Sequence, residues 1–109
     1  MNLKELTLKY FNTFSNKDVD GLRELFSCDV SLRDWEISAS GIEEVINANQ
    51  KIFDSLDTIS VVPIEICQTG NITASEMEIH INNSESIKVV DIIEFNSDCK
   101  ICAIRAYKG

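Results

Sequence analysis

The chain has 109 residues, 44% hydrophobic and 26% charged, which fits one globular domain and excludes disorder as the default. Ten Lys and Arg against 18 Asp and Glu give a formal net charge of −8. An acidic surface favours solubility and repels nucleic acid and anionic membranes, so neither is an expected partner.

The opening Met1-Asn2-Leu3-Lys4-Glu5-Leu6 is polar and helical in pattern, unlike a signal peptide, and no apolar run approaches the ~20 residues that span a bilayer. A cytoplasmic location is the expectation, which would leave the sequons at Asn71 and Asn82 unused. Leu3, Leu6, Tyr10 and Phe14 recur at helical spacing, and Leu8 and Phe11 widen the stripe. Residues 15–18 break that pattern. Asp18 is a suitable N-cap for a short second helix carrying Val19, Leu22, Leu25 and Phe26. Val30 to Asp34 then alternates as a strand. A third helix is predicted from Gly41, with Ser40 as cap and Glu43 at capping-box spacing. It carries Ile42, Val45, Ile46, Ile52, Phe53 and Leu56 on one face.

The remainder reads as four strands, 58–68, 72–81, 87–95 and 100–107. Turn residues separate them at Thr69-Gly70-Asn71, Asn82-Asn83-Ser84 and Asn96-Ser97-Asp98. Pro63, the lone proline, marks an edge strand or a bulge. No repeat or linker divides the chain, so residues 1–109 read as one domain. Helices followed by a short-looped meander predict an α+β fold. The expected shape is a cone, a curved antiparallel or mixed β-sheet wrapped around a long helix with N-terminal helices beside it, as in a cystatin-like α+β barrel.

Cys28, Cys67, Cys99 and Cys102 lie in a chain that shows no secretion signal, so reduced thiols are expected. The Cys99-x-x-Cys102 spacing falls at a strand–turn–strand junction, without the helix N-terminus of a redox pair or a second pair of zinc ligands. No metal and no cofactor are expected.

A polar side chain on an apolar face needs a reason, because burial without a partner costs free energy. Tyr10 lies on the stripe of the first helix, as a core tyrosine or a site residue. Asp34 follows Val30 and Leu32 at period two, as a strand-end aspartate or an inward one. Asn49 sits midway along the third helix's stripe, bonded to the sheet or facing a site. Asp91 shares a face with Val89, Ile93 and Phe95. Either an unseen cation such as Arg105 pairs with it, or desolvation raises its pKa and leaves it a neutral donor. His80 alternates with Ile79 and Ile81, so it is expected to point outward. No phosphate loop or nucleophile elbow is present.

The stretch from Val89 to Phe95, its polar turn, and Lys100-Ile101 with Arg105-Ala106-Tyr107 resemble the last two strands of SnoaL-like proteins of the nuclear-transport-factor-two-like superfamily. Asp18-Val19-Asp20-Gly21-Leu22, the run from Leu25 to Val30, and Gly41 to Val45 resemble their first half. The match to ketosteroid isomerases is closer. Tyr10 stands before Asp18 as their helix tyrosine does, Asp29-Val30-Ser31-Leu32-Arg33-Asp34 is similar to the pattern that ends in their base, and Asp91 takes the place of their second oxyanion donor.

That resemblance implies Asp34 as a proton shuttle, with Tyr10 and protonated Asp91 donating to an enolate oxygen. It implies a small apolar ligand in a pocket lined by Phe14, Phe26, Trp35, Asn49, Phe53, Ile93, Ile104 and Ala106. Phe26 and Asn49 fall near the supporting tyrosines of some isomerases, Trp35 replaces a proline after the base, and Lys108 stands where an apolar residue would line the cavity. The alternatives are a SnoaL-like polyketide cyclase, which also uses an acid/base aspartate, and a non-catalytic ligand-binding or dimerisation domain. Dehydratases of the superfamily need a pocket histidine, which an outward His80 does not supply. Val90 and Ile92 on the outer sheet face point to a homodimer.

Overall fold

The computed structural model describes residues 2–109. The chain runs α1 (Leu3–Ser15), α2 (Val19–Leu25), β1 (Phe26–Arg33), β2 (Ser38–Ser40), α3 (Ile42–Ser55), β3 (Ile59–Thr69), β4 (Ile72–Ile81), β5 (Glu85–Phe95) and β6 (Ile101–Lys108). This is the α+β class that the helix-first pattern predicts.

Local chemistry sets most of the boundaries. The Asn2 side chain caps α1 by accepting from Lys4 N at 2.8 Å. Asp18 caps α2 by accepting from Gly21 N at 3.0 Å. Phe26 differs from expectation, because it opens β1 instead of closing α2. The start of α3 also differs. Gly41 is its N-cap with φ at +87°, a conformation most side chains avoid. Glu44 accepts from Ser40 N at 3.2 Å, while Glu43 is drawn to Arg23 at 2.6 Å.

The six strands form one sheet in the order β2-β1-β6-β5-β4-β3. Every neighbouring pair is antiparallel except β1 and β6. That parallel pair joins the first half of the chain to the last strand, and sequence order alone does not reveal it. Pro63 lies in the edge strand β3 beside a register shift between Pro63 and Glu65, so the edge and the bulge coincide. The inward sheet face bears the core, with Val30, Met77, Ile93, Phe95, Ile101 and Ile104 all nearly inaccessible. α1 packs chiefly over β3 and β4, and α3 over β1 and β2.

Lys17 ties the helical layer together. Its backbone is left-handed, with φ at +54°. Its ammonium donates to the carbonyls of Phe53 at 3.0 Å, Asp57 at 3.1 Å and Leu56. These carbonyls belong to the end of α3 and the link into β3, where helical partners run out. Removal of a charged donor from such carbonyls costs roughly 1.5–3 kcal/mol. Lys17→Met should therefore lower stability by about that amount in urea titration. A loss below about 0.5 kcal/mol would refute the tie.

Candidate active site

A cavity of about 270 Å³ opens between α1, α3 and the inward sheet face. Its walls are mostly aliphatic. β3 supplies Ile59 and Val61, β4 Met77, Ile79 and Ile81, and β5 Ile87 and Val89. Ile104 and Ala106 of β6, Leu32 of β1, Ile52 of α3 and Leu56 just beyond that helix add to them. Among these walls stand Tyr10, Asp34 and Asp91.

The α1 stripe turns Tyr10 inward, where its ring packs 5.6 Å from Phe11, 6.2 Å from Phe14 and 6.1 Å from Phe26. Burial pushes its phenol well above the ordinary value, and the nearby Asp91 carboxyl adds to the effect. The hydroxyl is thus held neutral, as a donor.

Period-two alternation of β5 places Asp91 between Val89 and Ile93, with 8% of its surface exposed. Desolvation chiefly, and then the charge of Asp34, push its pKa from 3.8 up to about 7. Arg105, the cation that could have paired with it, lies 3.7 Å from Glu94 instead. Among the described residues neither the Asp91 carboxyl nor the Tyr10 hydroxyl takes part in a hydrogen bond.

Asp34 lies one residue beyond the end of β1, so the strand is shorter than the alternation predicts. Its Oδ1 accepts from Glu36 N at 2.7 Å and Ile37 N at 2.6 Å, and its own N–H donates to Ile37 O at 2.9 Å. It is thus a turn aspartate and a cavity residue at once. The two amides fix the carboxyl's orientation and leave Oδ2 without a backbone partner.

The other expected lining residues divide. Phe14, Trp35, Asn49, Ile104 and Ala106 line the cavity. Phe26, Phe53 and Ile93 do not. They are buried in the core behind the wall, Phe53 edge-on to Phe14 at 5.0 Å and Ile93 fully inaccessible. They share a face with lining residues but lie where the layers close together. Asn49 donates 3.0 Å back to Val45 O of its own helix, not to the sheet. Trp35 stands at the rim, 43% exposed, with the Lys108 ammonium 5.9 Å from its ring centre.

Sequence reasoning passed over the aliphatic residues of β3, β4 and Ile87, because a lining isoleucine reads as a core one. It also passed over Ser75, which is fully buried directly opposite Asp91. His80 is exposed, 3.5 Å from Glu78. All four thiols are unpaired. Among the described residues no His, Cys, Asp and Glu cluster could hold a metal, and no helix is long and apolar enough to cross a membrane.

Residues 7–104 match the SnoaL-like domain family. No curated protein matches the chain. Among solved structures, the chain resembles an NTF2-like protein of unknown function from Cytophaga hutchinsonii, at 13% identity and TM-score 0.84, over 100% of this chain and 91% of that one. It resembles a provisionally assigned SnoaL-like polyketide cyclase from Shewanella denitrificans, at 13% identity and TM-score 0.88, over 98% and 90%. It also resembles a provisionally assigned ketosteroid isomerase from Kribbella flavida, at 16% identity and TM-score 0.85, over 98% and 77%. At these identities the likeness concerns the fold.

Folded Asp91 retains a proton that the unfolded chain loses near pH 3.8. Its contribution to stability is complete below that pH and is lost as pH rises through about 7. By carbon NMR the Asp91 carboxyl should titrate near 7, and Asp34→Asn should lower the midpoint by removing a neighbouring negative charge. A wild-type midpoint near 4 would contradict the assignment.

Proposed function

This chain belongs to the SnoaL-like domain family, and we propose that it is an enzyme that shifts a proton beside the carbonyl of a small, largely apolar compound. The observation that carries this reading is the meeting of Tyr10, Asp34 and Asp91 in one aliphatic cavity, two of them with no hydrogen bond of their own. A purely structural pocket would be expected to satisfy such groups internally. The volume exceeds the ~150 Å³ of a cavity that takes benzene and lies near the ~300 Å³ lower end of ligand sites. One or two rings suit it better than a steroid. The Trp35–Lys108 rim favours a ligand with a polar outer end.

The chemistry follows from the three groups. The Asp34 carboxylate removes a proton from the carbon beside the carbonyl. The C–H electron pair becomes a carbon–carbon double bond, and the carbonyl oxygen becomes an enolate. The Tyr10 hydroxyl and the neutral Asp91 acid donate to that oxygen as its charge grows. Asp34 returns the proton to the γ carbon, the carbonyl reforms, and the double bond ends in conjugation. No redox partner is required.

The assay is isomerisation of a small β,γ-unsaturated cyclic ketone, followed by ultraviolet absorbance. Wild type should convert it. Asp34→Asn should lose roughly 10²–10⁴ in rate, and Tyr10→Phe or Asp91→Ala roughly 10²–10³ each. No turnover by wild type, or equal turnover by wild type and Asp34→Asn, would defeat the proposal.

We also propose a homodimer through the outer sheet face. Val90 and Tyr107 pair across β5 and β6 there, 38% and 58% exposed. Unpartnered apolar surface of this kind favours association. Sedimentation should give a dimer, and Val90→Lys should shift it toward monomer. A monomeric wild type at micromolar concentration would end that proposal.

A further inference from the structure

Ser75 presents the one polar group of the core that the site chemistry leaves unexplained. It lies on β4 and is fully buried, and its Oγ has no hydrogen-bond partner. Among the described residues it is the sole buried side-chain oxygen or nitrogen in that position. Thr73, two residues earlier on the same inward face, shows what such a hydroxyl ordinarily does. It hydrogen-bonds Thr7 of α1 at 2.9 Å. Ser75 has no such helix partner, yet its cross-strand neighbour on β5 is Asp91.

Residues directly opposite in an antiparallel pair bring their Cβ atoms within about 4.5–5.5 Å. A serine hydroxyl and an aspartate carboxyl can close that gap by changing rotamer. The Asp91 carboxyl also lacks a hydrogen bond. Two adjacent polar groups, both unpartnered on an aliphatic floor, each carry a desolvation cost that one bond between them relieves.

We propose that Ser75 is a positioning residue, donating its hydroxyl to one oxygen of Asp91 so that the acid carries its own O–H on the other oxygen, toward the cavity. The proposal rests on the reading of Asp91 as a donor to a ligand oxygen. A neutral carboxyl can hold its proton on either oxygen. A donor on one oxygen keeps that oxygen an acceptor and leaves the proton to the other. It also polarises the acid, since hydrogen bonds in series strengthen one another. The other groups near the carboxyl do not supply this bond. Tyr10 of α1 and Asp34 of the β1–β2 turn share the cavity with it. Asn49 of α3 spends its amide nitrogen on Val45. The β6 partner is Ala106, and Lys108 further along β6 is engaged at the rim with Trp35. Ser75 stands beneath the floor.

The test compares wild type, Ser75→Ala and Ser75→Thr. First, the Asp91 carboxyl is titrated by carbon NMR in ligand-free protein. A donated hydrogen bond favours the charged form, so its loss in Ser75→Ala should raise the midpoint by about one pH unit, and Ser75→Thr should restore it. Second, the affinity for a simple phenol is measured as a probe of the oxygen site. It should fall about tenfold in Ser75→Ala and be retained in Ser75→Thr. Ser75→Ala removes one oxygen from a close-packed position, and an unchanged amide spectrum away from β4 and β5 would certify the fold. An unmoved Asp91 midpoint in that folded variant would overturn the proposal. The titration needs no turnover, so it stands or falls apart from the ketone assay.

Discussion

A carboxyl on the inward face of a sheet has three ways to exist: paired with a cation, bonded to donors, or neutral. Asp91 is denied the first by its strand, because period two sends Arg105 of the neighbouring strand to the outer face, beside Glu94. β5 and β6 offer it no donor either. Their backbone groups are spent on the ladder, and their inward side chains here are Val89, Ile93, Ile104 and Ala106. On these two strands only the neutral form is supported, and a carboxyl pushed up to about 7 takes it below about that pH. The cavity follows from the same packing. α1 leans on β3 and β4, α3 leans on β1 and β2, and the space between them lies over β6 and the strand that carries Asp91, β5.

Asp34 meets the opposite condition. It closes a turn, and backbone amides of Glu36 and Ile37 hold one of its oxygens. The bonds that end β1 also aim the carboxyl, so local structure and site geometry are one feature. This is why the turn and inward readings of Asp34, which compete in the sequence, both describe it. β2 continues from that turn and pairs back on β1 with Leu32 opposite Ala39, which fixes the turn's base to the sheet.

The legible part of the fold was the part with a strong period. α1, α3 and the long strands declared themselves through spacing, and Asp91 stood out because a carboxyl interrupts valine, isoleucine and phenylalanine at period two. Tyr10 stood out in the same way on a helix. Three kinds of information were hidden. β2 has three residues, too few to show alternation, and the parallel β1–β6 pairing depends on long-range assembly. Phe26, Phe53 and Ile93 share faces with cavity residues, and only three-dimensional packing decides which apolar side chain meets empty space and which meets a neighbour. Ser75 was silent because serine is unremarkable in a strand, and its meaning comes from the register that sets it opposite Asp91. The family resemblance supplied roles that no period can supply.

The division of labour proposed for the two aspartates is itself a physical consequence of their surroundings. The Asp34 charge helps to raise Asp91. Two amides beside Asp34 suit a carboxylate, which only accepts, and the aliphatic floor beneath Asp91 suits an acid, which can donate. A reaction that moves a proton next to a carbonyl needs one group of each kind on either side of the same small molecule. The proposed reaction therefore does not require two different residue types for its two tasks. It requires one residue type in two environments, and the fold builds the second environment simply by setting an aspartate where the strand's alternation calls for a valine.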